Sequence, residues 1–443
     1  KEAGATKIKM PNTVNRIINT FIKNGFFAYA VGGCVRDSLL NTVPSDWDIC
    51  TSALPKDIKR LFQKTVDTGI QHGTVSILLD GGIFEVTTFR CDGDYKDHRW
   101  PEHVTFTKSI TEDLARRDFT VNAMAYNETE GFIDPFGGAK DLKNKCIKCV
   151  GDPDTRFLED ALRMLRAVRF AAQKDFKIEE KTLASIQKNA ALVQNLSAER
   201  VIAEITKILL SDHLEQIKTL YDVGILRFIM PELCKCFDTP QNIKWHIYDV
   251  GTHSLTAAQF LEKKSYLRFS ALMHDWGKPG TKGKNPDGSD SFRNHAKLSV
   301  ALAEDFCNRY KFSNADKSKI LRLIKFHDRQ ILPEKKYIKR AVNDVGDDIF
   351  LDLINLKRAD CKAQNFALTA PRLETYDEIE RLYRQIKEDK ESFSLKHLAV
   401  NGNDLKALGL EGKQIGKALS FLLYQYWILS IVPQALSISK EFF

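Results

Sequence analysis

Near residue 150 the pattern of this sequence changes, and that change restricts the fold more than any other feature. Before it, β-like runs such as "VSILL" (75–79) and "FEVTTF" (84–89) mix with helical stretches. Glycine and Asp/Asn turns separate them, "DPFGG" (134–138) being the tightest, as expected of an α/β head. Beyond about Arg156 strand signals almost vanish. "FLEDALRMLRAVRFAAQ" and "SAERVIAEITKILL" repeat apolar residues at helical spacing, the second from a Ser-x-x-Arg start. The expected class is α+β, a small mixed sheet with helices followed by an elongated all-α body. A length of 443 residues calls for two to four domains. "PELCKCFDTPQNIKW" (231–245) reads as a linker and "GKPGTKGKNPDGSDS" (277–291) as a mobile loop. A His- and Asp-rich helical section runs to about Ala370, and a charged helical tail follows. The resulting divisions are 1–148, 149–245, 246–370 and 371–443.

Composition excludes some classes. No apolar run is long enough to span a membrane, and the first residues lack a secretory core, so no membrane partner is expected. A net charge of +8 favours a polyanionic partner only weakly. Nine cysteines, an odd number, suit a reducing cytoplasm better than a disulfide framework. "CIKC" and "CKC" resemble zinc half-sites that have no second half. No obligatory protein partner is evident.

The chemistry begins with "GGCVRDSLLNTVPSDWDIC" (32–50). A step such as Gly32-Gly33 lets backbone N–H groups approach a phosphate. Arg36-Asp37 follows, and then Asp46 and Asp48 one residue apart. If "DWDIC" is a strand, both carboxylates face one side, and like charges that close need a cation. A solvated surface loop would explain the pair alone. The whole combination suits nucleotidyl transfer, in which two Mg2+ ions roughly 3.5–4 Å apart hold the attacking hydroxyl and the leaving pyrophosphate. Glu85 in "FEVTTF" offers a third acidic group.

The stretches "YAVGGCVRDSLLNTVPSDWDI", "FEVTTFRCDGDYKDHRWPEHVTF", "DLARRDFTVNAMAY", "DPFGGAKDL", "RFLEDALRMLRAVRFAA" and "SAERVIAEI" occur in this order over residues 29–210. Together they resemble the class II tRNA nucleotidyltransferases (CCA-adding enzymes) and bacterial poly(A) polymerases. The resemblance implies a polymerase β-like nucleotidyltransferase head and Mg2+ bound by Asp46 and Asp48. It implies ribose and triphosphate contacts from Arg116, Arg117, Asp118 and Asn122, and further nucleotide contacts from Arg166 and Arg169. Paired arginines suit phosphate oxygens, and Asp or Asn suits a ribose hydroxyl. Alone, "ARRD" would be a solvated helix face. Arg90 opens "CDGDYKDHRWPEH" (91–103), a loop that relatives adding only two cytidines characteristically lack. Its presence leaves full CCA addition, A-only addition and poly(A) synthesis open.

"EDALRMLR" reads as one helix, with Asp160 and Arg163 on one face and Glu159 four residues before Arg163. A carboxylate accepts hydrogen bonds and a guanidinium donates them. Cytosine and adenine present an amino donor beside a ring acceptor; uracil and guanine present the reverse. An Asp/Arg pair therefore accepts CTP and ATP and rejects UTP and GTP without a template. The resemblance gives these residues that role, with Glu159 steadying the arginine. The alternative is an ordinary intrahelical ion pair worth roughly a few tenths of a kcal/mol.

A second constellation holds His253 in "GTHSL", His274-Asp275 in "MHDWGK" and Asp360 in "RADCKAQN". Such N and O ligands suit a divalent metal. The order resembles the HD metal-dependent phosphohydrolases. That implies these four as ligands, His295 and His327 as second-metal or phosphate contacts, and Lys278 as a phosphate contact. "VNGNDLKALGLEGKQIGKAL" (400–419) resembles the nucleotidyltransferase tail, which implies contact with tRNA. The expected function is template-independent CCA addition to the tRNA acceptor arm from CTP and ATP. An A-adding enzyme or poly(A) polymerase, and an HD phosphohydrolase as the main activity, are the rivals.

Overall fold

The computed structural model describes residues 7–92, 95–96, 100–101, 104–389, 391, 398 and 400–429. They form two compact units that divide between Ile229 and Met230.

The first unit is built on a seven-stranded mixed sheet. Its strands are β1 (Ala28–Val31), β2 (Ile49–Thr51), β3 (Thr65–Gly69), β4 (Thr74–Leu79), β5 (Gly82–Thr88), β6 (Ala125–Asn127) and β7 (Gly131–Ile133). Their order in the sheet is β7-β6-β1-β2-β5-β4-β3. Only β2 and β5 run parallel, with Ile49 opposite Val86; the other pairs are antiparallel. "AYAV" of β1 is buried at all four positions, as a central strand covered on both faces must be. The helix Asn12–Lys23 packs on it through Val14, Ile17, Ile18 and Phe21, which share one face at helical spacing. Burying each such side chain is worth about 1.5–3 kcal/mol. Tyr29, Val31, Cys50, Phe89, Leu114, Ala123, Ala125 and Val150 form a core cluster. "DPFGG" makes a cap: Asp134 accepts hydrogen bonds from the Gly138 and Ala139 N–H groups at 2.6 and 2.9 Å. Gly138 is required there, because a Cβ would lie 2.1 Å from the Thr120 carbonyl oxygen.

Helices follow, with only two-residue strands among them. Pro153–Glu159 leads to Leu162–Lys174, which packs on Ala198–Leu209. Ser197 takes the N-cap position of the last helix with extended backbone, but its side chain makes no capping hydrogen bond.

The second unit holds the helices Val250–Gln259, Ser265–Met273, His295–Arg309, Asn314–Phe326 and Phe350–Lys362. A long helix, Phe366–Glu388, and three more, Lys335–Val345, Gly402–Ala407 and Lys413–Leu429, also belong to it.

Four local expectations need correction. The expected linker begins with a helix, Pro231–Phe237, because Leu233, Cys236 and Phe237 bury one side and Pro231 fits its first turn. Residues 277–291 are ordered: Gly283–Lys284 pairs with Asp290–Ser291, and buried Asp290 draws in Lys282 and Lys284 at 3.2 and 2.6 Å. The strand β2 starts at Ile49, so Asp46 and Asp48 lie on the chain leading into it. "EDALRMLR" is not one helix. Asp160 leaves helical geometry at φ −146°, ψ 103°, and a new helix begins at Leu162.

Candidate active sites

In the head, the Asp48 carbonyl accepts the Val31 N–H at 3.0 Å, which fixes the lead-in to β2 beside β1. Burial pushes the Asp48 carboxyl up; the Arg117 guanidinium opposes this, and the nearby Glu85 and Asp46 carboxylates push it further. Asp46 also accepts a hydrogen bond from the Ser45 hydroxyl at 2.9 Å. Asp48, with the Asp46 and Glu85 carboxylates acting on it, offers oxygen donors only, which suit a hard divalent cation.

Arg117 is held in place on two sides. Buried Asp113 accepts from Arg117 at 3.3 Å and from Arg116 at 3.2 Å, and also from the Arg90 backbone N–H at 3.2 Å. Opposite, Gly32 has φ +78°, and a Cβ there would lie 3.2 Å from an Arg117 terminal nitrogen. Glycine therefore provides both the left-handed backbone and the room. Gly33 opens the helix Gly33–Leu39, and its added Cβ would lie 3.6 Å from Arg36.

A continuous polar chain then runs into the helical segment. Lys174 donates to Asp37 at 2.9 Å, and Asp37 holds Arg36 through both carboxylate oxygens at 2.9 and 3.1 Å. Arg36 donates to the Asn122 side-chain oxygen at 2.6 Å, and Asn122 donates to Asp118 at 3.1 Å. Arg166 grips Asp118 at 2.7 and 2.8 Å. Arg169 pairs with buried Glu204, and the Phe170 ring packs under Arg36, Arg166 and Arg169. Burial alone would raise the Asp118 carboxyl; the charge of Arg166 and the hydrogen bonds from Asn122 and Arg166 outweigh it and hold it at about 2. Its folded pKa is depressed, so the stability it supplies is present above its ordinary value of 3.8 and is lost as pH falls towards 2. The stability gap between wild type and Asp118→Asn is therefore expected to shrink from pH 5 to pH 2, measured by urea unfolding followed in the head.

The break at Asp160 changes the geometry of the expected base-reading pair. Asp160 does not pair with Arg163. It accepts from Arg200 through both oxygens at 2.9 and 3.1 Å, and Arg163 pairs with Glu159 at 2.6 Å. Arg163 also donates to the Arg116 carbonyl at 3.0 Å, which fastens it to the "RRD" segment. Arg156 joins Glu159 at 2.9 Å. Asp160 and Arg163 thus each have an ion-pair partner of their own, Arg200 and Glu159. Sequence reasoning missed Asp113, Arg200, Lys174 and Glu204. Asp113 was within reach, three and four residues before Arg116 and Arg117; Arg200, forty residues from Asp160, gave no local signal. Of the loop 91–103, residues 93–94, 97–99 and 102–103 lie outside the described residues. The flanking strands Arg90–Asp92 and Val104–Phe106 pair antiparallel.

In the second unit the structure gathers His253, His274, Asp275 and Asp360, with His295 and His327 beside them. His253, His274 and Asp275 form one cluster with metal-ligand spacing; Asp275, His295 and His327 form another. Each of the four imidazoles turns Nδ1 to a backbone carbonyl: His253 to Ala363 at 3.1 Å, His274 to Ala271 at 2.6 Å, His295 to Phe292 at 2.9 Å and His327 to Ile324 at 2.7 Å. A carbonyl only accepts, so each Nδ1 carries the proton and each neutral ring offers an Nε2 lone pair.

Those lone pairs converge. His253 Nε2 lies 2.8 Å from Asp360, and His274 Nε2 lies 3.2 Å from Asp275 and 3.4 Å from Asp360. His295 and His327 meet Nε2 to Nε2 at 3.1 Å. Acceptors facing acceptors are unfavourable unless protons or a cation lie between them, and a mixed N/O set of this kind fits a divalent transition metal. Without one, burial disfavours charge on His274, but Asp275 and Asp360 outweigh it and bring the imidazole up to about 10. Burial, then the charges of His274 and His295, takes His327 down to about 3. Lys278 bonds Asp275 at 2.7 Å and the Gln241 side chain at 2.9 Å. His246, which sequence reasoning missed, packs beside His253.

A nucleotidyltransferase-type head, a helical segment fastened to it and an HD-type histidine/aspartate centre define the class. The Poly A polymerase head domain family matches residues 28–148, the probable RNA and SrmB-binding site of polymerase A matches 175–237, and the HD domain family matches 246–361. Residues 28–148 are thus similar to the poly(A) polymerase head family and residues 246–361 to the HD domain family. Both kinds of domain generally use divalent metals. A CCA-adding enzyme of Pediococcus pentosaceus is 56% identical over 186 residues, 42% of this chain and 47% of that protein. One of Ligilactobacillus salivarius is 48% identical over 254 residues, 57% of each chain. The chain spans about half the length of the curated relatives it matches. The Bacillus stearothermophilus CCA-adding enzyme in complex with CTP is similar over 96% of this chain and 94% of its own, at 28% identity and TM-score 0.70. The Thermotoga maritima CCA-adding enzyme complexed with tRNA_CCA shares the fold over 97% and 93%, at 19% identity and TM-score 0.58. No helix among the described residues is long and apolar enough to cross a membrane.

Proposed function

We propose that this chain completes or repairs the CCA 3′ end of tRNA, adding nucleotides from CTP and ATP without a template. One observation carries the reading: the polar chain from Asp37 through Asn122 and Asp118 to Arg166, with Arg163 fastened to the Arg116 carbonyl. It joins Arg36, Asn122 and the "RRD" segment to the helix that holds Arg163 and Arg166, so the groups read as phosphate- and ribose-binding are tied to those read as base-reading. Mg2+ on Asp46 and Asp48, when bound, would polarise the α-phosphate and activate the RNA 3′ hydroxyl. The chain's own residues do the rest. Arg116 and Arg117 draw in the triphosphate, Asp118 and Asn122 face the ribose, and Asp160 and Arg163 present an acceptor and a donor to the base edge. The 3′ oxygen bonds to the α-phosphorus as the bond to pyrophosphate breaks. The helical segments and the tail would hold the acceptor arm by shape and phosphate contact. Nine free cysteines agree with work in the reducing cytoplasm.

The test is product size: with tRNA lacking CCA, CTP and ATP, the expected product is three nucleotides longer. A long adenylate ladder would identify a poly(A) polymerase, and extension only of tRNA ending in CC an A-adding enzyme. Asp160→Ala or Arg163→Ala is expected to lower discrimination against UTP and GTP by roughly tenfold or more, since a good base contact is worth about 1–3 kcal/mol. Four-way nucleotide competition on one tRNA measures this; unchanged preference in both variants would place recognition elsewhere.

The convergent imidazoles favour a second activity in the same chain. We read the HD centre as a metal-dependent phosphohydrolase acting on phosphate esters at RNA ends, such as 2′,3′-cyclic or terminal phosphates, which would block the hydroxyl to be extended. Its own residues would hold the ester against the metal, with Lys278 supplying positive charge.

A further inference from the structure

Residues 241–249 lead into the helix Val250–Gln259 and touch the HD centre at Lys278 and His253. They are tied down at several points. The Gln241 side chain accepts from Lys278 at 2.9 Å, and the Asn242 carbonyl accepts from the Asp290 N–H at 3.1 Å. The Trp245 carbonyl accepts from the Asn365 N–H at 2.7 Å. His246 comes next, its backbone N–H closing a turn onto Ile243 at 3.0 Å. Its ring meets the His253 ring edge to face, 4.8 Å between centroids and 84° between planes.

His246 differs from the other four imidazoles around the centre. Each of those spends Nδ1 on a carbonyl and aims Nε2 inward. His246 belongs to neither metal-type cluster. Its Nδ1 is shielded from solvent and has no hydrogen-bond partner among the described residues. A buried ring nitrogen left in that state is unfavourable until a ligand meets it. Gln241 of the same segment holds Lys278, and the His253 ring lies beside that of His246, so a ligand reaching His246 lies next to the centre. The matching chemistry is an anionic oxygen, to which a ring N–H donates.

We propose that His246 is a substrate-contact residue of the HD centre, donating a hydrogen bond from Nδ1 to a phosphate oxygen of the bound ester. This rests on the phosphohydrolase reading above. Lys278 supplies charge without direction; His246 supplies direction. A contact made equally before and during the reaction lowers KM and leaves kcat nearly unchanged.

The test uses the full chain loaded with Mn2+, and three variants. An asparagine side chain places a polar atom where Nδ1 lies, and a glutamine reaches instead towards Nε2. Metal content is expected to match wild type in H246A, H246N and H246Q. Calorimetric binding of inorganic phosphate is expected to weaken about tenfold or more in H246A and H246Q and to stay within about threefold in H246N. The KM for 2′,3′-cyclic nucleotides should follow the same order, with nucleotide addition by the head unchanged. Wild-type phosphate binding in H246A overturns the assignment, as does loss of metal from all three variants, which would make His246 a structural residue. If the wild-type protein takes up no metal and hydrolyses no ester, the phosphohydrolase reading falls and takes this inference with it. If the wild-type protein is active and H246A is its equal, only the inference falls.

Discussion

Asp48→Ala is expected to lower nucleotide addition by several orders of magnitude while tRNA binding survives. Besides desolvation, the Asp46 and Glu85 carboxylates lie near enough to push the Asp48 carboxyl up, against the opposing charge of Arg117. A cluster held at that electrostatic cost is suited to a divalent cation and to little else. Removing one oxygen ligand takes away stabilisation that develops only as the phosphoryl group transfers, so kcat falls and binding of the RNA does not. Asp46→Ala should behave similarly. Filter binding and single-turnover extension on the same preparation separate the two effects. Near-normal turnover in Asp48→Ala would remove the proposed mechanism.

The second large effect belongs to the other centre. Asp275→Ala is expected to abolish metal uptake and phosphate-ester hydrolysis while nucleotide addition continues. Asp275 is shared by both histidine clusters, contacting His274 at 3.2 Å and His295 at 3.3 Å. It is buried to 1% exposure and also receives Lys278 at 2.7 Å. Its loss leaves a buried ammonium and several imidazoles without their common anion. Destabilisation of the second unit by a few kcal/mol, on the order of 3–5, is therefore expected as well. Asp275→Asn keeps the volume and separates folding from chemistry. It should melt nearer to wild type yet bind metal poorly, because an amide is a weaker ligand than a carboxylate. The reciprocal variant, Asp46→Ala, should hydrolyse esters at the wild-type rate. Hydrolysis by metal-free Asp275→Asn would exclude the HD centre as its source.

Much of the fold could be read directly because its signals are local. "VSILL" lies within β4, "FEVTTF" falls in β5 up to Thr88, and the helical spacing after Arg156 appears as helices. Residue types far apart in sequence, such as His253 and Asp360, could be picked out because few structural roles call for a His-Asp couple flanked by both. The failures have a common cause. Nothing in "EDALRML" forbids a continuous helix; Ala161 and Leu162 favour one. The break at Asp160 fits its bidentate contact with Arg200, forty residues away, and a tertiary contact of that kind overrides propensity without a local trace. The segment 277–291 has the composition of a mobile loop, but one buried carboxylate, Asp290, orders it. Glycine and lysine content could not show that. His246 follows Trp245 with no motif around it, and its contact with His253 and its Nδ1, unpartnered among the described residues, distinguish it.

The most direct measurement supplies the purified protein with three tRNAs, ending before the CCA, after one C and after CC, and with each nucleotide singly. If one protein-built pocket reads both bases, CTP extends the first tRNA by two and the second by one, and ATP extends only the third, by one. UTP and GTP leave all three unchanged. Addition of ATP to every tRNA, or of CTP beyond the second position, would contradict template-independent CCA synthesis by this chain.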